Sequence, residues 1–171
     1  MVRRGFTVVE LIITITIMGI LMVLAVVNVN ATQAQARDAE RAADIEAITL
    51  AFEGFYKVGN ASTPPGSYPS TATSNNPNAR VISTLNDQLN IKSLLAPGIN
   101  DETFKSFISA TNTIQTAEGV LPQPDKDHYV YQPLRQDGAI CTSYTQGCQK
   151  FNLYYFKEVD STVHKVSSKN Q

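Results

Sequence analysis

From Leu11 to Val27 the sequence carries no charged residue, and from Asn28 to Tyr56 it carries no proline and a single glycine, Gly54. The formal net charge is −1. Such a balance gives no electrostatic reason to expect a nucleic-acid partner, and no aromatic cluster with interleaved basic residues suggests one. No segment matches G-x-S-x-G, a P-loop, H-E-x-x-H or C-x-x-C. A non-enzymatic role is therefore expected, with no cofactor. Histidines are scarce: His128 and His164 stand alone and read as surface or sheet residues. Cysteines are equally scarce, Cys141 and Cys148 being the only two.

What is present is uneven. The chain is 43% hydrophobic and 17% charged over 171 residues, enough for one domain with a modest core. Its apolar residues concentrate in MVRRGFTVVELIITITIMGILMVLAVV. The pattern reads as a membrane-directed N-terminus followed by a soluble domain. The run permits a secretory signal peptide, with Arg3 and Arg4 as its basic region and small-residue sites at Val29-Asn30-Ala31 or Ala34-Gln35-Ala36. It is longer, however, than the usual apolar stretch of about 7–15 residues. It equally permits a membrane anchor. As a helix, Phe6 to Val27 rises about 33 Å, enough to cross a hydrocarbon core of roughly 30 Å. Arg3 and Arg4 would then stay in the cytoplasm. Neither reading needs an acid at position 10, where Glu10 stands.

The segment Arg3-Arg4-Gly5-Phe6-Thr7-Val8-Val9-Glu10-Leu11-Ile12 resembles the class III signal of type IV prepilins and type II secretion pseudopilins. In that family a short basic leader ends in Gly, then Phe follows, with Glu at the fifth mature position and about twenty apolar residues. The resemblance implies that a prepilin peptidase cleaves after Gly5, removing residues 1–5, and methylates the new amine of Phe6. It implies that Glu10 pairs with the Phe6 amine of a neighbouring subunit and sets the register of assembly. An unpaired carboxylate in lipid costs about 2.5–3.5 kcal/mol at a helix centre, so pairing has a physical motive.

The implied role is a structural subunit of a type IV pilus, serving adhesion, twitching motility or DNA uptake. Alternatives are a pseudopilin of a type II secretion or competence system, or an anchored extracellular domain that does not polymerise. The implied partners are further copies of the chain, other pilins, the peptidase, the assembly platform with its ATPase, and membrane lipid before assembly. The implied location is the cytoplasmic membrane, crossed once with the head outside, and then a surface filament. One departure stands at Val27, where many of the family have a helix-breaking Pro; Gly19 is a weaker breaker, at about 1 against roughly 3 kcal/mol.

The same helix is expected to continue to Lys57, over residues 6–57, with 6–27 as membrane span and filament core. Ala42, Ile45, Ile48, Phe52 and Phe55 recur at helical spacing and form a stripe for a head domain. Arg37/Glu40, Asp38/Arg41 and Arg41/Asp44 sit three apart as candidate ion pairs. A continuous helix argues against signal-peptidase cleavage at Ala31 or Ala36. Thr14 and Thr16 need only bond their own backbone carbonyls.

Residues 58–171 are expected to form the head. Residues 59–79, rich in Pro, Gly, Ser, Thr and Asn, read as an exposed loop. Residues 80–95 read as a short helix with Ile82, Leu85, Leu89, Leu94 and Leu95 in the core, stopped by Pro97-Gly98. Asp101-Glu102-Thr103 before Phe104 and Phe107 suggests a further short helix and a polar connection. Residues 128–166 change to strand character at His128–Gln132, Lys150–Lys157 and Thr162–Val166, with Gly138-Ala139-Ile140 as a further short strand. The fold class is thus α+β: a long N-terminal helix on a small antiparallel sheet. Export puts Cys141 and Cys148 in an oxidising compartment, where an even count suggests a disulfide. Chain entropy gives such a short loop roughly 2–3 kcal/mol. No metal site is expected. Asp125 and Asp127 are the carboxylates with which calcium would be considered, because some pseudopilins bind it in this region, but Ca²⁺ takes six to eight oxygens.

Overall fold

The computed structural model describes residues 5–60, 63–71, 81, 83, 89, 91–100, 106–143, 145 and 147–170, with the backbone alone at 25–28 and 91. One helix, α1 (Val8–Val58), runs unbroken through Gly19 and Val27. It starts two residues later than expected because Thr7 caps it. The Thr7 hydroxyl accepts the Glu10 N–H at 3.2 Å, so Gly5, Phe6 and Thr7 stay outside the helix. Thr14 and Thr16 bond back to the carbonyls of Leu11, Ile12 and Ile13, as their spacing predicts. At the far end Gly59 donates to Phe55 O at 2.7 Å with φ 64°. A Cβ there would fall 2.6 Å from both Pro65 N and Thr63 O, so this stop requires glycine.

Four strands make one sheet in the order β1 (Phe107–Ser109), β2 (Tyr129–Leu134), β3 (Lys150–Lys157) and β4 (Thr162–Ser167). β2–β3 and β3–β4 are antiparallel hairpin-like neighbours, whereas β1 lies parallel to β2. The sheet is therefore mixed rather than wholly antiparallel. Phe107 belongs to a strand, where a short helix and polar connection are expected; residues 101–105 lie outside the described set. A parallel neighbour needs a crossover of a dozen or more residues, and 110–128 supplies it. Ile140 makes only an isolated bridge to Leu134, not a strand.

The helix meets the sheet through its expected stripe. Ile45, Ile48, Phe52 and Phe55 are buried, and Ala42 is half-buried. Phe52 sits at the centre, its ring 4.7 Å from Tyr131 and 5.2 Å from Phe151. Such aromatic contacts add roughly 0.5–1.5 kcal/mol each beyond area burial. Residues 110–121 cover the sheet's other face, where Ala110, Val120, Val130 and Tyr154 form a second small core. Buried Gln132 ties this cover down: its amide donates to Asn112 O and Ile114 O, and its oxygen accepts from Asn152 Nδ2 and Tyr154 OH.

In the expected exposed loop after α1, Asn60, Pro64 and Pro65 are exposed, but the described residues after Gly66 are not. Ser67 to Thr71 are buried. Tyr68 packs edge-on to Phe151 at 4.8 Å and pairs its N–H with Cys148 O, while Tyr131 OH donates to Pro69 O. Residues 72–80 lie outside the described set, as do Ile82 and Leu85 of the expected 80–95 helix. What is described there is α-helical backbone at Val81 and Ser83, with Val81 fully buried, and a 3-10 turn, Ile91–Leu94, with Leu94 and Leu95 in the core and Leu89 partly buried against it.

Candidate functional site

Gly5 and Phe6 precede the helix in exposed, non-helical backbone, and Phe6 is 73% exposed. Glu10 follows in the first turn, also exposed. A carboxylate there suits the partial positive charge at a helix start. Every large apolar side chain from Phe6 to Leu24 is more than half exposed. α1 is long and apolar enough to cross a membrane, and none of its apolar window is buried in the fold. The result is a bare apolar cylinder with one acid near its tip, beside the Gly5–Phe6 bond.

Where this cylinder enters the head, charged side chains fasten it. Arg37 grips Glu158 with two bonds, Nε to Oε1 at 2.9 Å and Nη2 to Oε2 at 2.6 Å. Arg41, 1% exposed, donates to Asp38 at 2.9 Å, to Glu158 at 2.5 Å and to Lys126 O at 2.9 Å. The Asp38 carboxylate accepts the backbone N–H groups of Glu158 and Val159 at 2.9 and 3.0 Å. The Glu158 carboxyl is held at about 2 by its bonds to Arg37 and then Arg41. Of the three i,i+3 pairs expected on α1, Asp38/Arg41 forms. Arg37 takes Glu158 rather than Glu40, and Asp44 accepts from Tyr129 OH at 3.2 Å rather than from Arg41. Helical neighbours lose here to partners from the β3–β4 turn and β2: Glu40 is exposed, whereas Arg37 and Asp44 are half-buried and meet Glu158 and Tyr129. Burial lifts the Asp44 carboxyl to about 7, with Glu40 adding to the rise.

At the other end of the seat, Glu53 gathers three chain segments. Its carboxylate accepts from Tyr68 OH at 3.0 Å, from Lys169 N at 2.9 Å and from Asn170 Nδ2 at 3.4 Å. Neither Glu53 nor Glu158 carries a sequence signal: Glu53 meets Tyr68, 15 positions on, and Lys169, 116 positions on, and Glu158 meets Arg37, 121 positions back. Cys141 and Cys148 are disulfide-bonded, and both are buried. Among the described residues no group of three or more His, Cys, Asp and Glu side chains converges as metal ligands. Asp125 Oδ1 is occupied by Asp127 N and His128 Nδ1, and the Asp127 carboxylate by Lys126. His164 bonds Thr162 at 3.0 Å on the half-buried β4.

Residues 1–26 match the family model for the prokaryotic N-terminal methylation motif. That motif is the class III signal peptide of type IV pilins and pseudopilins, and its span includes Gly5, Phe6 and Glu10. No curated protein and no solved structure matches the chain. The long helix on a four-stranded sheet is a pilin-like α+β architecture. The motif supports a type IV pilin-like or pseudopilin precursor and implies processing by a prepilin peptidase and pilin-type assembly. Together with the apolar helix it points to membrane anchoring.

Proposed function

We propose that this chain is a non-enzymatic structural subunit of a type IV pilus. It enters the membrane as a prepilin, is cut after Gly5, is methylated at the Phe6 amine and polymerises through α1 into a surface filament. One observation carries the reading: the half of α1 that follows Gly5 and Phe6 and holds Glu10 in its first turn is bare, while the other half is built into the head. Burying each large apolar side chain is worth about 1.5–3 kcal/mol, so that half calls for lipid or for neighbouring helices. Lipid serves before assembly and sister helices after it. In an apolar bundle Glu10 needs a cation, and the freed amine of Phe6 is the one that cleavage creates. The disulfide-closed loop suits a displayed subunit somewhat better than a secretion pseudopilin.

The deciding measurement is the mass of the mature N-terminus in sheared surface material. A chain starting at Phe6 and carrying one methyl group, recovered in filaments, is the expected result. An intact leader would overturn cleavage, and a start at Thr32 or Arg37 would indicate ordinary secretion.

A further inference from the structure

The seat of α1 on the sheet contains one acid, Asp44, that the described residues around it leave without a cation of its own. Asp44 lies half-buried on the sheet-facing side of α1, between buried Arg41, Ile45 and Ile48. Its near partner is Tyr129 OH, from a β2 residue that is fully buried. The cation that helical spacing would offer is Arg41, yet both terminal nitrogens of Arg41 are committed to Asp38, Glu158 and Lys126 O. Arg37 is likewise turned to Glu158. One turn back stands Glu40, of like charge. Lys92, on the 3-10 turn packed against α1, shares a cavity of about 470 Å³ with Glu40, and Asp44 is not part of its lining. From the turn before β2, Asp127 engages Lys126 and His128 engages Asp125. Among the described residues, then, the groups around Asp44 are a phenol, a second acid and cations that already hold other anions.

We infer that Asp44 makes the seat of α1 on the sheet pH-sensitive: protonated, it closes the interface against Tyr129, and ionised, it places an uncompensated charge there and loosens it. The phenol favours the ionised form, but burial outweighs it. The folded carboxyl sits at about 7 and an unfolded aspartate near 3.9, so the folded chain keeps a proton that the unfolded chain has lost. The stabilisation is complete below about pH 4 and is lost as pH rises through 7. The device belongs to the head and does not depend on the pilus reading.

The test uses the full chain in detergent micelles, with unfolding followed by near-ultraviolet circular dichroism between pH 5 and 8. The unfolding constant of the wild type should rise with pH by up to about tenfold per unit below 7. Asp44→Asn keeps an acceptor for Tyr129 without the charge and should be flat relative to it; every other ionisable group is common to the two proteins and cancels in the difference. Parallel pH curves for the two proteins would overturn the inference. If Asp44→Asn does not fold, the carbon resonance of the Asp44 carboxyl in the wild type decides. A midpoint near 7 supports the device, and one near 4 refutes it.

Discussion

Asp38 and Val159 stand 121 positions apart, yet the Asp38 carboxylate holds the Val159 backbone N–H at 3.0 Å. The same carboxylate holds the Glu158 N–H and the Arg41 guanidinium. Removing it strands two turn donors and weakens the pairing of a buried cation. Asp38→Ala should cost about 3 kcal/mol, read as a drop in the unfolding midpoint of the full chain in detergent. A double-mutant cycle with Glu158→Ala should show strong non-additivity, since both act on Arg41. Additive losses would mean that the two carboxylates work independently.

Glu158 gives the fold an acid limit. Its carboxyl is held at about 2, below the value near 4.3 of an unfolded glutamate. The folded state therefore binds fewer protons, so this contribution is full above about pH 4.3 and fades as pH falls toward 2. Unfolding midpoints from pH 5 to 2 should fall more gently for Glu158→Gln than for the wild type. An equal slope would remove Glu158 from the cause of acid sensitivity.

Phe52 is the helix residue on which three sheet aromatics converge, namely Tyr131, Phe151 and Phe107. Phe52→Ala should cost about 3–5 kcal/mol through lost contacts and the cavity left behind. Leu50, exposed on the same helix, should tolerate alanine within about 0.5 kcal/mol. Denaturant midpoints of the two variants check the contrast.

Cys141 and Cys148 close a short loop whose two ends are tied separately to the head: Cys141 N donates to Pro133 O, and Cys148 O accepts Tyr68 N. Replacing both by serine should cost about 2–3 kcal/mol, or roughly 4–12 °C in midpoint at this chain length. Added reductant should lower the wild type by a similar amount and leave the double variant unchanged.

Glu10→Ala should still be cut after Gly5 and still enter the membrane, because neither the Gly5–Phe6 bond nor the apolar run is altered. Filament yield should collapse. Abundant, regular filaments from that variant would show that register is set elsewhere. Gly5→Ala should leave the leader in place, seen as the mass of residues 1–5 retained on membrane-bound chain.

Much of this was legible in residue order because the relevant physics is local. The helix follows from spacing and from the absence of proline, and the aromatic strand KFNLYYFK from its own composition. The motif at Gly5, Phe6 and Glu10 is a contiguous word. What stayed hidden is non-local. Tyr68 sits among turn-forming residues, so nothing beside it announces a core position. β1 is only three residues long and finds its parallel partner across a crossover. The fastening of Arg37, Asp38 and Arg41 to Glu158 looks, in sequence, like ordinary charge pairing along a helix. Its real partner is supplied by a turn that the chain reaches more than a hundred residues later.

The bare part of α1 also acts as a lever. From Arg37 back to Val8 the helix reaches about 44 Å, while its seat from Asp38 to Tyr56 is only about 27 Å long. For a straight helix, a tilt of about 5° in that seat would swing the tip by roughly 4 Å, more than a hydrogen bond spans. Where Phe6 and Glu10 lie relative to the head is thus decided far from either, by a few charged side chains around Glu158. Aim, at the tip of this molecule, is a property of its shoulder.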